Sequence, residues 1–159
     1  MDNFSREREG EGENRMKVGI TGHRPARLKG REEEVRLWII RELQELKEKN
    51  EDISLITGMA RGVDQIAALA AIDLHIPVEC IFPYQHCFSE AEQYIVDHAM
   101  SVRFFSDKYK EDVFLARDRR LVEESDILLV VWDGKFNGGA YNTYKYANSL
   151  RKEIWIFPW

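Results

Sequence analysis

The chain has 159 residues, of which 44% are apolar and 32% are charged, and its formal net charge is −5. This length suits one domain with a substantial core rather than two, and the composition is that of a globular chain without a membrane-spanning segment. The acidic balance argues against a general nucleic-acid binder, although it does not exclude a local basic face.

The N-terminal residues, MDNFSREREGEGENR, contain many charges and no apolar signal core. We expect residues 1–15 to be a disordered, charged leader and residues 16–159 to form the domain, with Met16 as an alternative start. Cys80 and Cys87 have neither a CxxC spacing nor a metal-ligand spacing. They predict free thiols, no metal site and a location in the cytoplasm.

Beyond the leader, apolar runs alternate with amphipathic stretches. The apolar runs predict strands over 16–22, 53–58, 76–83, 101–105, 126–132 and 153–158. Helical spacing of apolar residues predicts helices over 31–50, 63–74, 89–98, 109–124 and from about Ala140 onward. Ser89 and Glu92 have the spacing of a capping box at the start of the third of these helices.

The strands lack polar alternation, and a helix follows each of the first five. This pattern predicts a mostly parallel sheet covered on both faces, in a Rossmann-like three-layer α/β fold. Ligands of such folds lie beyond the C-terminal ends of the strands. Three predicted strand ends carry glycines and polar residues there: TGHRP at 21–25, TGMARGVD at 57–64 and WDGKFNGGAYNT at 132–143.

The third strand end resembles an anion-binding turn. Gly138 and Gly139 permit a close approach to the backbone, and the following helix N-terminus offers free N–H groups to a phosphate. Asn142 and Thr143 add side-chain donors, and Trp132 either stacks on a base or belongs to the core. The alternative is an ordinary tight turn.

The second strand end pairs two glycines with charged residues. Gly58 and Gly62 flank Arg61, and Asp64 falls in the first turn of the next helix. Asp64 either accepts a hydrogen bond from a ribose hydroxyl, with Gly62 admitting a phosphate, or only complements the helix dipole.

At the first strand end, Arg24 is suited to a phosphate and His23 to stacking or donation. Pro25 is expected to prevent a helix from starting immediately. On the helix before the fifth strand, Arg117 and Arg120 share a face by their spacing, and the acidic neighbours Asp118, Glu123 and Glu124 are available to pair with them.

The motifs ITGHRP, GMARGVDQIAA, PYQ, ARDRRLVEESDILLVVWDGK and GGAYNTYKYA, in this order, resemble the SLOG superfamily. That superfamily includes the lonely-guy phosphoribohydrolases and the DNA-processing protein A group, and the likeness is greatest to its small stand-alone bacterial and phage branch. The resemblance implies a nucleotide-binding domain whose ligands are nucleotides, nucleoside monophosphates or NAD-derived molecules. It assigns ligand contacts to Gly22, His23, Arg24, Gly58, Gly62, Asp64, Arg117, Gly138, Gly139, Asn142 and Thr143.

One departure from this family bears on catalysis. The phosphoribohydrolases place a catalytic glutamate where this chain has Tyr146, one helical turn beyond Thr143 and expected to face the same ligand. An unperturbed phenol is neutral near pH 7 and replaces a carboxylate poorly. Hydrolysis would require Arg117 together with a carboxylate from elsewhere, Asp64 or Asp133.

Three functions follow. The first is binding of a nucleotide or NAD-derived molecule, without a cofactor, in a sensing, signalling or sequestering role. The second is hydrolysis of a nucleoside 5′-monophosphate at its N-glycosidic bond, with Arg117 and Asp64 as the catalytic pair. The third is single-stranded DNA handling, which the acidic charge disfavours. Relatives commonly dimerise, so we also expect a homo-oligomer. We expect no membrane partner.

Overall fold

A computed structural model describes residues 15–159, which form six strands and six helices. The predicted leader lies outside the described residues except for Arg15, whose Nε donates to Asp52 Oδ1 at 3.0 Å. In chain order the elements are β1 Met16–Gly22, α1 Pro25–Leu28, α2 Glu32–Lys49, β2 Ile53–Thr57, α3 Val63–Asp73, β3 Val78–Tyr84, α4 Glu90–His98, β4 Ser101–Ser106, α5 Val113–Glu124, β5 Ile127–Val131, α6 Gly139–Ser149 and β6 Glu153–Ile156.

The six strands form one sheet in the order β4-β3-β2-β1-β5-β6, and every neighbouring pair is parallel. The chain builds the sheet outward from β1 to β4, then returns to add β5 and β6 on the other side of β1. This order confirms the Rossmann-like prediction. It also places the topological switch point, where such folds form a crevice, between β1 and β5.

Helices cover both faces of the sheet, as predicted. On one face α2, α3 and α4 bury strand residues such as Ile20, Leu55 and Phe82. On the other face α5 and α6 bury the alternate residues, including Ile56 and Leu128. Because successive strand residues point to opposite faces, a strand covered twice must be apolar throughout. No helix within residues 15–159 has the length and apolar character needed to cross a bilayer.

Local signals set most element boundaries. The capping box is confirmed, with Glu92 N–H donating to Ser89 Oγ at 3.1 Å and Ser89 N–H donating to Glu92 Oε1 at 2.8 Å. The expectation for Pro25 is wrong, because Pro25 opens the short helix α1. Proline fits a first helical position, where its missing N–H has no intrahelical partner to lose. The helix predicted over 109–124 begins at Val113 rather than near Tyr109.

Candidate functional site

An open cleft of about 230 Å³ lies at the carboxyl edge of the sheet. The turns after β2 and β3 form two of its sides, and the first turns of α5 form another. Four of the residues predicted from the sequence to contact a ligand line it: Arg24, Gly58, Arg61 and Arg117.

The turn between β2 and α3 is held by two polar side chains. Thr57 Oγ1 donates to the Asp64 carbonyl at 3.1 Å and accepts from Met59 N–H at 3.1 Å. Asp64 Oδ2 accepts from Ala60 N–H at 3.1 Å. Met59, whose side chain is buried, has a φ of 63°, which a non-glycine residue seldom adopts. These contacts fix the shape of the segment that lines the cleft.

Two predicted glycines permit close contacts between separate segments. A Cβ on Gly58 would lie 2.8 Å from Cζ of Arg117, and a Cβ on Gly62 would lie 2.5 Å from the carbonyl oxygen of His23. Gly22 has the same role against Val63, whose side chain would lie 2.6 Å from its Cβ. Packing alone therefore requires glycine at these three positions.

Arg117 is buried beneath the cleft, with 4% of its surface exposed. Its Nη1 donates to the carbonyl oxygens of Gly58 and Ile81, and its Nε donates to Asp118 Oδ1 at 2.7 Å. Arg120, predicted to share its face, is instead half exposed, with its Nε 3.9 Å from Glu123. Only Arg117 lies beside the cleft, near the N-terminal end of α5.

A connected polar cluster surrounds Arg117. Thr143 Oγ1 lies 3.4 Å from Asp118 Oδ2 and donates to the Gly139 carbonyl at 2.9 Å. Burial raises the pKa of the Asp64 carboxyl to about 7, with Arg117 opposing the rise and Asp118 adding to it. The structure thus brings together Asp64, Arg117 and Thr143 from three helices. Asp118, which joins two of them, was considered in the sequence only as a charge partner.

The turns after β1 and β5 form a second polar group, which we call the switch-point group: His23, Arg27 and Asp133. Arg27 Nη2 donates to both carboxylate oxygens of Asp133, at 3.1 and 2.9 Å. Burial opposes the ionisation of Asp133, but hydrogen bonds from Lys135 N–H and Arg27 lower its pKa to about 2. The charge of Arg27 is therefore neutralised within the protein.

His23 is buried and accepts a hydrogen bond within the switch-point group. Its Nε2 accepts from Asp133 N–H at 3.0 Å, which requires that nitrogen to be unprotonated. Burial lowers the pKa of the His23 imidazole, with the charge of Arg27 adding to the effect and Asp133 opposing it. His23 therefore joins the β1 and β5 turns.

The glycine turn before α6 lies beside the switch-point group. Gly138 has a φ of 95°, and a Cβ there would lie 2.5 Å from Arg27 Nη1. At Gly139 a Cβ would meet no atom within 4 Å. Gly139 and Asn142 are exposed. Neither they nor Gly138 line the cleft, and their ligand role stays a prediction.

Trp132 lies in a stack of exposed and half-buried rings. Its ring centroid is 5.0 Å from Tyr144, 5.6 Å from Tyr141 and 6.3 Å from Phe136. Its Nε1 donates to the Lys135 carbonyl at 2.7 Å. Trp132 is partly packed against the core under α5 and α6, which favours the core alternative, whereas stacking on a base stays a prediction.

Tyr146 does not share the surroundings of Thr143. Its hydroxyl donates to Glu123 Oε2 at 2.6 Å, and the Arg119 guanidinium lies 5.0 Å from its ring centroid. Tyr146 is seven residues into α6, roughly 10 Å along the axis from the carboxyl edge. Tyr146 thus makes its contacts with Glu123 and Arg119, and the expectation that it faces the same ligand as Thr143 stays a prediction.

Among the cleft residues that carried no assignment from sequence reasoning are Tyr84, His86 and Phe114. Tyr84 lies in the quoted PYQ motif, and Phe114 precedes Arg117 by three positions, so both had a usable signal. His86 had none. Its Nδ1 lies 3.0 Å from the Tyr84 carbonyl and its Nε2 lies 3.1 Å from Glu92 Oε2. The hydrogen bond to Tyr84 raises its pKa, with burial opposing and Glu92 adding to the rise.

A family of known proteins matches almost the whole chain: the model for DNA recombination-mediator protein A covers residues 9–159. This match confirms the expected SLOG-type resemblance. No curated protein matches the sequence.

Solved structures share the fold. DNA processing protein A from Helicobacter pylori, described by its single-stranded DNA binding mode, has a TM-score of 0.68 and 20% identity, over 91% of this chain and 66% of its own. The Streptococcus pneumoniae protein of that name has a TM-score of 0.71 and 16% identity, over 91% and 50%. The molybdenum cofactor carrier protein of Chlamydomonas reinhardtii has a TM-score of 0.56 and 14% identity, over 89% and 76%. This chain thus spans two thirds or less of the two DNA processing proteins.

Proposed function

The chain belongs to the DNA recombination-mediator protein A family, and from this premise we propose that it binds a nucleotide or NAD-derived molecule in the cleft beyond β2 and β3. The observation that carries the proposal is the pair Arg24 and Arg61. Both are exposed and line the cleft, and the guanidinium group of neither makes a hydrogen bond or ion pair with another residue of 15–159.

Two available guanidinium groups beside one cleft favour a phosphate-bearing ligand. Guanidinium groups bind phosphate oxygens in bidentate geometry, and such charge-assisted bonds are among the strongest hydrogen bonds in proteins. Elsewhere Arg27 and Arg103 are committed to Asp133 and Glu124, at 2.9 and 2.7 Å. Arg117 is likewise paired with Asp118 at 2.7 Å, so the uncompensated positive charge at the cleft belongs to Arg24 and Arg61.

We propose capture of this ligand, in a sensing, signalling or sequestering role, rather than its hydrolysis. Two of the carboxylates considered for catalysis have structural partners, since Asp133 is paired with Arg27 and Asp64 accepts from Ala60 N–H. Tyr146, at the position of the catalytic glutamate in the phosphoribohydrolases, faces Glu123 instead.

Isothermal titration of the full chain with AMP, ADP-ribose and cyclic ADP-ribose tests this proposal. We expect a dissociation constant well below 1 mM for at least one of them, weakened by Arg24→Ala and by Arg61→Ala. Arg151→Ala, which removes an exposed arginine far along the chain, is the matched control. Absence of binding below about 1 mM, equivalent to roughly −4 kcal/mol, would contradict the proposal.

N-glycosidic hydrolysis is the second candidate, and the raised pKa of Asp64 favours it. A carboxyl with a pKa of about 7 has both protonation states available at neutral pH, as a general acid or base requires. Chromatography of AMP incubated with the protein measures release of free adenine. We expect none, whereas release that collapses in Asp64→Asn would replace binding with hydrolysis as the function.

Single-stranded DNA handling is the third candidate, and the family match supports it. The net charge of −5 disfavours it, because strand binding depends on basic grooves that track the backbone. A retardation gel at low salt, where phosphate contacts are strongest, distinguishes the two. We expect no shift with an oligonucleotide, and a shift that Arg24→Ala and Arg61→Ala abolish would move the function to DNA.

Self-association and a cytoplasmic location remain proposals as well. Both cysteines are free thiols, with Cys80 buried and Cys87 exposed, which suits a reducing compartment. Light scattering coupled to size-exclusion chromatography measures the oligomeric state, for which we expect a dimer or larger species.

A further inference from the structure

The cleft has an aromatic side as well as a basic one. Tyr84 ends β3 and lines the cleft, and Phe114 lines it from the first turn of α5. Tyr109 contacts both rings from the loop after β4. We call these three residues the aromatic wall. Since the sheet order is β4-β3-β2-β1, the wall lies on the β3 and β4 side, and Arg24 and Arg61 lie on the β1 and β2 side.

The rings of the aromatic wall meet mainly by their edges. The Tyr84 ring centroid is 5.7 Å from that of Tyr109, with an interplanar angle of 84°, and 6.0 Å from that of Phe114, at 85°. An edge-to-face contact covers one face of only one of the two rings, so other ring faces stay uncovered. Tyr109 is 60% exposed and Phe114 is 38% exposed, whereas Phe82 in the same cleft lining is 1% exposed.

Tyr84 also offers a polar group within the cleft. Its hydroxyl makes no hydrogen bond with another residue of 15–159, although the side chain is half-buried. A phenolic hydroxyl both donates and accepts, so it is suited to the edge of a heterocyclic base. An aromatic surface with a free hydroxyl, continuous with a phosphate-binding side, has the chemistry of a base subsite.

The spacing between the two sides fits one ligand. Neighbouring strands lie about 4.8 Å apart, so the turns after β1 and β2 are separated from those after β3 and β4 by roughly 10 Å. A nucleoside monophosphate has a phosphate at one end and a flat base at the other. Its two ends match the charge and the apolar character of the two sides of the cleft.

We propose that the aromatic wall is the base subsite of the cleft, with the nucleobase stacked on Phe114 and the phosphate held by Arg24 and Arg61. This inference rests on the proposed function and deepens it. The ligand class is a nucleoside phosphate, and a sugar phosphate without a base binds more weakly. Purines bind more tightly than pyrimidines because they offer a larger stacking area.

The test compares AMP with ribose 5-phosphate on the full chain by isothermal titration. Both carry one phosphate monoester on a ribose, so their difference isolates the base. Stacking on one aromatic side chain contributes about 1–3 kcal/mol, and we expect AMP to bind about 5-fold to 150-fold more tightly than ribose 5-phosphate. In Phe114→Leu this preference falls below about 3-fold, while the affinity for ribose 5-phosphate stays within 2-fold.

Phe136→Leu is the matched control, because Phe136 is 78% exposed and belongs to the Trp132 stack outside the cleft. It keeps the preference for AMP. Tyr84→Phe keeps the ring but removes the hydroxyl, and weakens AMP binding several-fold. Circular dichroism melting of each variant verifies that it is folded.

The outcomes separate the subsite from the proposed function. Equal affinities of the wild-type protein for AMP and ribose 5-phosphate overturn the base subsite and leave phosphate binding in place. Retention of the preference in folded Phe114→Leu, or its loss in Phe136→Leu, also overturns the subsite. If the protein binds neither AMP nor ribose 5-phosphate, the subsite is overturned as well. If it also fails to bind ADP-ribose and cyclic ADP-ribose, the proposed function itself is overturned.

Discussion

The two halves of the carboxyl edge contain similar residues in different states. In the half that contains the cleft, the guanidinium groups of Arg24 and Arg61 have no hydrogen-bond or ion-pair partner within residues 15–159. In the other half, Arg27 of the switch-point group is paired with Asp133. The glycine turn at 138–139 has the stronger sequence resemblance to an anion site, yet the cation nearest to it is already neutralised. The difference teaches that a glycine turn marks a candidate site, and that charge compensation decides whether the site attracts an anion.

The variant with the largest expected effect changes Arg117, the buried arginine beneath the cleft. Arg117→Met removes a buried cation and leaves Asp118 without its partner at 2.7 Å. Removing one member of a buried pair costs about 3–5 kcal/mol, so we expect a loss of that order in unfolding free energy and the loss of AMP binding. Urea denaturation and titration calorimetry measure the two effects. Arg120→Met, on the same helix but exposed, leaves both nearly unchanged.

A second set of variants tests the comparison directly. Arg24→Ala and Arg61→Ala each remove a charge-assisted bond of about 1.5–3 kcal/mol, so AMP affinity falls roughly 10-fold to 150-fold while the melting temperature is unchanged. Arg27→Ala does the reverse, because its charge serves Asp133: stability falls and AMP affinity stays within 2-fold. If Arg27→Ala weakens binding as much as Arg24→Ala, the two halves form one site.

The pH dependence of stability distinguishes the halves by sign. The pKa of Asp64 is raised to about 7, so the folded state holds its proton more tightly and stability falls as pH rises from about 4 to about 7. The pKa of Asp133 is lowered to about 2, so stability falls as pH drops from about 4 to about 2. Urea denaturation from pH 2 to 8 measures both. Asp64→Asn removes only the fall in stability as pH rises from about 4 to about 7. Asp133→Asn removes only the fall in stability as pH drops from about 4 to about 2.

The variants with the smallest expected effect test whether the glycine turn at 138–139 contacts the ligand. A Cβ at Gly139 meets open space, and alanine favours the helix over glycine, so Gly139→Ala raises the unfolding free energy by up to about 1 kcal/mol. Gly138→Ala lowers it, since φ is 95° and the new Cβ meets Arg27. Thermal melting measures both changes. AMP affinity stays the same in Gly139→Ala, and a loss of affinity would show that this turn contacts the ligand.

Local chemistry made much of the molecule predictable. The apolar runs without alternation identified all six strands and the parallel sheet, and the Ser89 and Glu92 pair identified the start of α4. Arg24 and Arg61 were predictable as cleft residues because parallel strands bring their carboxyl ends to one edge. Phe114 had a usable signal in its position three residues before Arg117, but only the tertiary structure places its ring against Tyr84 at the cleft.

The sequence alone determined the fold class, the family and the edge of the sheet at which the candidate site lies, because periodicity and glycine turns act over a few residues. Tertiary structure alone decided which arginines are available. Arg27 meets Asp133 across 106 positions, and Arg117 meets Gly58 across 59. It also decided that the Tyr146 hydroxyl donates to Glu123, 23 positions away in the chain. Partners so far apart in the chain are set by the packing of whole helices and strands, which no local pattern encodes.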